Sequence, residues 1–252
     1  GGDNEINGLT LGGVGSGTTI EYIEVFANKD DGVEFFGGTV NARNLVLAFG
    51  NDDGPDMDQG YRGNIQFVFS IQTDIGTDRG DKGIEWDGAT SPLDATPKGN
   101  VTIANVTMIG IGNSGGANTA VNIRDNVEAR LYNSIFVNFA KGLDIENDVG
   151  TPIPDIKNNI WFSHTAANNT AAGLNARPTG SVDASLYWTT AANNNANVNN
   201  GRATSLGDLN NVRTNGVATN TRPDVVHAGG NAGKRTHTIT LAPRFEYKIG
   251  TL

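Results

Sequence analysis

The residues best suited to chemistry are aspartates concentrated in short turns in the first third of the chain. These turns span residues 28–32, 51–58 and 78–83, and each combines aspartate with glycine. Aspartate oxygens and turn carbonyls are the hard ligands that Ca²⁺ takes, about six to eight of them. The sequence therefore predicts a calcium site, and its expected ligands are Asp30, Asp31, Asp52, Asp53, Asp56 and Asp58.

Two other interpretations of these acidic turns stay open. Carboxylates held about 5 Å apart in stacked turns repel each other unless cations lie between them. In the first alternative, the chain supplies those cations itself, as surface ion pairs from Lys29, Arg62, Arg79 and Lys82. In the second, these are ordinary solvated turns, in which Asp, Asn and Gly are common in any case.

A repeated pattern predicts the elements that position the turns. A unit of polar, apolar, variable and apolar residues begins at Tyr22, Asn44, Asn64, Asn105, Ser134 and Asn159. This alternation is typical of β-strands, and its recurring asparagine predicts a stacked row of Asn44, Asn64, Asn105 and Asn159. One long interval, between Ile65 and Val106, suits a loop insertion or one degenerate coil.

A second strand unit follows the first in most copies, at residues 32–35, 83–86, 120–123 and 142–145. Its polar members Glu34 and Glu85 are expected on the same face as the acidic turns. Repeats of about 20–30 residues with short strands and tight turns favour an all-β parallel solenoid. A β-sandwich or a propeller is the alternative, because their strands also recur at short intervals.

The texture of the chain divides it into three parts. Residues 1–163 are predicted to form the coils, continuing from a missing upstream segment. Residues 164–235 are rich in Asn, Ala and Thr and are expected to form loops or irregular coils packed on the rod. Residues 236–252 regain alternation and are expected to close the C-terminal end.

Composition excludes several classes of function. The chain has no cysteine, which excludes disulfides, zinc–thiolate sites and thiol catalysis. A net charge of -9 argues against nucleic acid or an anionic membrane as the partner. No apolar run approaches the roughly 18–20 residues of a membrane span. Divalent cations, glycans and other proteins are left as partners.

Residues 31–41, 51–54 and 60–67, together with residues 4–15, resemble a family of secreted or surface-anchored bacterial proteins of uncharacterised role. The resemblance implies a right-handed parallel β-helix of the pectin-lyase-like type, with further β-helical sequence upstream. It also implies secretion through a signal peptide and a location outside the cell or at the cell surface, often with a lipid anchor or a sorting domain.

The wider superfamily includes polysaccharide lyases and polygalacturonase-like hydrolases. Of the hydrolase motifs, only paired aspartates occur here, at residues 30–31 and 52–53. None of the histidines His164, His227 and His237 lies in a Gly-His-Gly motif. The lyases remove a proton with Arg or Lys beside bound calcium, a role open to Arg62, Arg79, Lys82 or Arg124. No motif singles out one of these residues.

These observations predict an extracellular structural or adhesive module, a calcium-stiffened β-helix that binds a protein or a glycan at the cell surface. The segment that begins at Gly1 and ends at Leu11 is expected to stack on another chain or on a precursor segment. The alternative is a carbohydrate-active enzyme, a calcium-dependent lyase or a glycoside hydrolase, that uses the acidic face.

Overall fold

The computed structural model describes most of the first two thirds of the chain and a short C-terminal part. The described residues are 6–72, 74–75, 78–89, 92–112, 118–146, 154–162, 187, 195–197, 237–242 and 245–249. The region predicted to form loops, residues 164–235, and the first five residues of the predicted stacking segment lie almost entirely outside this set. No helix within these ranges is long and apolar enough to cross a membrane.

Two parallel sheets form the body of the molecule. The first sheet has the order β1-β3-β5-β9-β11-β14, and the second has the order β17-β16-β13-β10-β6-β4-β2. In the second sheet, β12 also pairs with β10, and β15 pairs with β12. The strands of the first sheet are β1 (Leu9–Gly12), β3 (Val33–Phe36), β5 (Pro55–Asp58), β9 (Lys82–Trp86), β11 (Thr119–Ile123) and β14 (Lys141–Ile145). The strands of the second sheet are β2 (Thr19–Phe26), β4 (Asn41–Gly50), β6 (Asn64–Gln72), β10 (Asn100–Gly112), β12 (Glu128–Tyr132), β13 (Ile135–Phe139), β15 (Asp155–Lys157), β16 (Ile160–Phe162) and β17 (Ala196–Asn197).

Two antiparallel pairs lie outside these sheets. They are β7 (Asp74–Ile75) with β8 (Asp78–Arg79), and β18 (His237–Ala242) with β19 (Phe245–Ile249). Every described pair within the two large sheets is parallel, and the chain alternates between the sheets as it advances. The predicted all-β parallel β-helix is therefore confirmed.

Coil lengths agree with the predicted repeat except at one place. Hydrogen-bonded neighbours are 22 residues apart between Asp31 and Asp53, and 29 residues apart between Asp53 and Lys82. The distance grows to 37 residues between Asp87 and Arg124. Because β6 pairs directly with β10, the long interval holds an insertion within one coil, not an additional coil.

A bend interrupts the second sheet at one register-aligned position. The residues at the bend have a positive φ and are Tyr22, Asn44, Phe67, Asn105, Asn133 and Asn158. Asparagine tolerates this left-handed backbone better than most residues, because its short side chain hydrogen-bonds locally.

The predicted asparagine row is therefore corrected in two of its members. Asn64 and Asn159 lie outside the bend, and the row contains Asn133 and Asn158 in addition to Asn44 and Asn105. The apolar alternation resumes within a residue or two of the bend, so the pattern alone does not locate it.

The core fills the space between the two sheets. Its largest buried side chains include two stacked aromatic pairs, Phe35 with Tyr61 at 4.4 Å and Phe136 with Trp161 at 4.5 Å between ring centroids. At the entry to the first sheet, a Cβ on Gly54 would lie 2.3 Å from the carbonyl oxygen of the glycine in the next coil. A glycine here lets the coils stack closely and so brings together the acidic side chains that follow.

Candidate metal site

The outward face of the first sheet carries a row of polar side chains, one from each coil. Strand register aligns Glu34, Asp56, Glu85, Asn122 and Asp144. Neighbouring strands lie about 4.8 Å apart, so charges in adjacent coils are close enough to interact strongly. We call this set the outer row.

A second row lies three residues earlier in each coil, where the chain enters the sheet. Its members are Asp31, Asp53, Lys82, Thr119 and Lys141. We call this set the entry row, and its charges decide how each outer-row carboxylate is neutralised.

The downstream coils match charge between the two rows. Lys82 Nζ lies 3.2 Å from Glu85 Oε1, and Lys141 Nζ lies 3.7 Å from Asp144 Oδ2. The uncharged Thr119 precedes the uncharged Asn122. Each downstream carboxylate of the outer row thus has an ammonium group from its own coil.

The two upstream coils invert this arrangement. Asp31 precedes Glu34 and Asp53 precedes Asp56, so both rows are acidic at the same place. One oxygen each from Asp31, Glu34 and Asp56 lies within 4.8 Å of the others. We call these three residues the carboxylate cluster.

The carboxylate cluster is largely withdrawn from water. Asp31 is 7% exposed and Asp56 is 8% exposed, and Oδ1 of Asp56 is buried without a hydrogen-bond partner. The side-chain amide of Asn7 donates to Glu34 Oε2, and the backbone N–H of Asp53 donates to Asp31 Oδ1 at 3.2 Å. These donors satisfy two of the three carboxylates and leave an acceptor on Asp56.

Burial and mutual repulsion raise the pKa values of the carboxylate cluster. Burial, followed by repulsion from Asp52, raises the pKa of Asp31 to about 8. Burial, followed by repulsion from Glu85 and Asp31, raises the pKa of Asp56 to about 9. Burial also raises the pKa of Glu34. At neutral pH the cluster therefore holds protons unless a cation replaces them.

Two more groups of three carboxylates adjoin the cluster. One contains Asp30, Asp31 and Asp52, and it shares Asp31 with the carboxylate cluster. The remaining group joins Asp52, Asp53 and Asp81, and Lys82 Nζ reaches it, lying 2.7 Å from Asp81 Oδ2 and 3.6 Å from Asp53 Oδ2. The ammonium group of Lys82 therefore supplies a positive charge to this last group of carboxylates.

The structure brings together most of the residues that the sequence predicts as ligands. Five of the six lie in these three groups: Asp30, Asp31, Asp52, Asp53 and Asp56. Asp58 lies in none of the three, and its Oδ1 accepts a hydrogen bond of 2.5 Å from the backbone N–H of Gln59. Glu34 is not among the predicted ligands but lies in one of these groups, and its signal in the sequence is an outward strand position directly opposite Asp56.

The cationic residues near the acidic face are engaged in ion pairs. The guanidinium group of Arg124 donates to both carboxylate oxygens of Asp87, which raises the pKa of Arg124. Burial acts to lower the pKa of Lys82, but Asp53 and Glu85 outweigh it and raise the pKa.

The other residues considered for catalysis are Arg62, Arg79 and the three histidines. Arg62 is exposed. The side chains of Arg79, His164, His227 and His237 lie outside the described part of the structure. Within the described residues, the cations nearest the acids are thus bound to carboxylates and poorly suited to remove a proton.

A comparison with protein families agrees with the fold. The model of the pectate-lyase-like β-helix domain family matches residues 1–218. No curated protein and no solved structure matches the chain. With a family match over most of its length and two sheets of stacked parallel coils, the chain belongs to the pectate-lyase-like β-helix domain family.

Proposed function

We propose that this chain is an extracellular structural or adhesive module whose upstream coils are stiffened by Ca²⁺. The ion would bind at the carboxylate cluster of Asp31, Glu34 and Asp56, with Asp30 and Asp52 beside it. The observation that carries the proposal is the inverted charge of the entry row, which has aspartate in the coils of β3 and β5 but lysine in two of the three later coils. An external cation would supply the positive charge that lysine supplies in the later coils.

The donor set favours calcium over transition metals. The three residues offer only carboxylate oxygens, which are ligands for hard cations, whereas transition metals prefer imidazole or thiolate. Two ligands belong to the coil of β3 and one to the coil of β5, so one bound ion would tie two successive coils together. This crosslink would replace repulsion between the coils with attraction, which is the physical meaning of stiffening.

The upstream end supports the proposed role in surface assembly. Strands β1 and β2 are the upstream edge strands of the two sheets. Near this end, Tyr22 is 77% exposed and Phe26 is 58% exposed. Open edges pair readily with further strands, so we propose that another chain or a precursor segment stacks here. A protein or glycan at the bacterial cell surface is the proposed partner.

Thermal unfolding with calcium and with a chelator tests the proposal. Binding at about 100 times the Kd contributes roughly 2.7 kcal/mol, which corresponds to about 5–11 °C in a chain of this size. Asp31→Asn combined with Asp56→Asn should abolish the shift, whereas Asp94→Asn, an exposed turn residue, should retain it. Equal melting temperatures in both conditions, with no metal found in the sample, would reject calcium binding.

A carbohydrate-active enzyme is the second candidate. The observation in its favour is that Lys82 and Arg124 lie on the same face as the acids, as a calcium-dependent lyase requires. A hydrolase would instead use the raised pKa of Asp56 for a general acid beside the Glu34 carboxylate.

Incubation with polygalacturonate and calcium distinguishes the two classes of enzyme from the structural role. Ultraviolet absorbance of an unsaturated product that disappears in Arg124→Gln would establish the lyase. New reducing ends without that absorbance, lost in Asp56→Asn, would establish the hydrolase. With neither product, the structural role stands as the better account.

A further inference from the structure

A second apolar layer lies on the outside of the second sheet. Six buried apolar residues fall outside the core between the sheets: Ala48, Phe69, Ile109, Ile111, Val137 and Ala140. Three of them occupy neighbouring strands, because Phe69 lies in β6, Ile109 in β10 and Val137 in β13. The outer face of a β-helix normally meets water, so burial here requires a cover.

Strand register supports the outward position of these residues. Val68, Met108 and Phe136 belong to the core, and each directly precedes or follows one of the three in sequence. Because side chains alternate between the two faces of a strand, Phe69, Ile109 and Val137 lie on the opposite face. They form a contiguous patch, which we call the outer patch.

The exposure of the outer face changes along the rod. Phe69 is 1% exposed, Val137 is 3% exposed and Ile109 is 7% exposed. Phe26 occupies the same outward row as Ile109 three coils upstream, and it is 58% exposed. The cover therefore lies over the middle of the rod, around β10, and does not extend to the upstream end.

The hairpin of β18 and β19 is a candidate for such a cover. Its two strands are antiparallel, and the backbone register pairs His237 with Ile249 and Ile239 with Tyr247. A two-stranded hairpin is marginally stable alone in water, so this pair needs a surface to pack against. Strand β18 contacts β10, the strand at the centre of the outer patch.

We propose that the C-terminal hairpin is a clasp that folds back onto the flank of the rod and covers the outer patch. The occupant of this surface is thus a segment of the same chain. The clasp leaves the acidic face on the first sheet free for the role proposed above.

Chemical crosslinking tests the proposal cleanly because the chain has no cysteine. Thr107 lies in β10 on the outward row of Phe69, and Ile239 lies in β18. The full-length chain carrying Thr107→Cys and Ile239→Cys should form an intramolecular link in high yield with a short bismaleimide. The control pair, Thr10→Cys with Ile239→Cys, joins β18 to the first sheet and should not link. Equal yields in the two pairs, no link in the first, or links between chains alone would overturn the proposal.

Substitutions in the outer patch give a second test. Ile109→Asp and Val137→Asp should release the hairpin, raise binding of a hydrophobic dye several-fold and preserve the far-ultraviolet circular dichroism of the rod. Phe26→Asp, at the exposed upstream end of the outward row that contains Ile109, is the matched control and should bind little additional dye. Equal dye binding in all three variants would contradict the clasp. If an aspartate variant does not fold, the crosslinking result decides.

Discussion

The upstream and downstream coils of the first sheet have side chains at equivalent positions, but the charge at the entry-row position is opposite. The entry row has Asp31 and Asp53 upstream but Lys82 and Lys141 downstream. Downstream, each carboxylate of the outer row finds a cation in its own coil. Upstream, Glu34 and Asp56 face further carboxylates. Acidity alone does not define the candidate site, because acids occur along the whole face. The absence of the matching lysine distinguishes the upstream coils.

Removing the downstream lysine should make the two regions alike and have the largest effect. Lys82→Met leaves Asp53, Asp81 and Glu85 without their shared ammonium group. Breaking a buried ion pair costs about 3–5 kcal/mol, so the melting temperature should fall by about 6–20 °C. Differential scanning calorimetry measures the loss, and calcium should restore part of it. A loss below about 1 kcal/mol would show that the ammonium group is not what stabilises this region.

The upstream carboxylate cluster should make the stability of the protein depend on pH, which is the next largest effect. In the unfolded chain, Asp31 and Asp56 ionise near pH 4, whereas in the folded, cation-free protein they hold their protons up to about pH 8 and pH 9. The folded state therefore binds more protons between these limits, and its stability falls as pH rises, by up to about 1.4 kcal/mol per pH unit for each group.

Melting temperatures between pH 5 and pH 9 with a chelator check this slope. Calcium should flatten or reverse it, because a bound cation favours the ionised carboxylates. The double variant Asp31→Asn with Asp56→Asn is the control and should lose most of the slope. A chelated protein whose stability rises across the same range would contradict the assigned charge states.

Neutralising one acid of the carboxylate cluster should have a smaller effect of opposite sign. Without calcium, Asp56 must take up a proton on folding at neutral pH, and Asp56→Asn removes this cost, so it should stabilise the fold by about 1–2 kcal/mol, or about 2–8 °C. With calcium, the same substitution should destabilise it, because a ligand is lost. Chemical denaturation in both conditions measures the change of sign. An effect of the same sign in both would remove Asp56 from the proposed ligands.

The weakest downstream pair should show the smallest effect. Lys141 Nζ lies 3.7 Å from Asp144, and the lysine side chain is 27% exposed. Partly exposed pairs contribute about 1 kcal/mol or less, so Lys141→Met should lower the melting temperature by about 4 °C at most. A loss as large as that of Lys82→Met would mean that the number of ion pairs per lysine does not govern stability.

Much of the fold could be predicted from the sequence, because apolar alternation directly reflects the two faces of each strand. Register could not, since coil spacing varies from 22 to 37 residues and the sequence does not mark where an inserted loop ends. Asn64, for example, begins the same alternating pattern but lies three residues before the bend at Phe67.

The acidic site was foreseen in part for the same reason. The turn aspartates stand out by composition, but Glu34 belongs to a strand and is recognised only when register places it opposite Asp56. The sequence also left open whether chain cations neutralise the acids. Ion pairing is confirmed for Lys82, while the carboxylate cluster upstream has the arrangement that favours an external ion.

Calcium titration by calorimetry of the native chain and of Asp31→Lys shows whether an external cation neutralises the carboxylate cluster. Asp31→Lys gives the upstream entry row the residue that the downstream row has at Lys82. We expect the native chain to bind calcium, and Asp31→Lys to bind none at this site while remaining folded and no longer sensitive to chelator. Equal calcium binding by both proteins, or none by the native chain, would contradict the account.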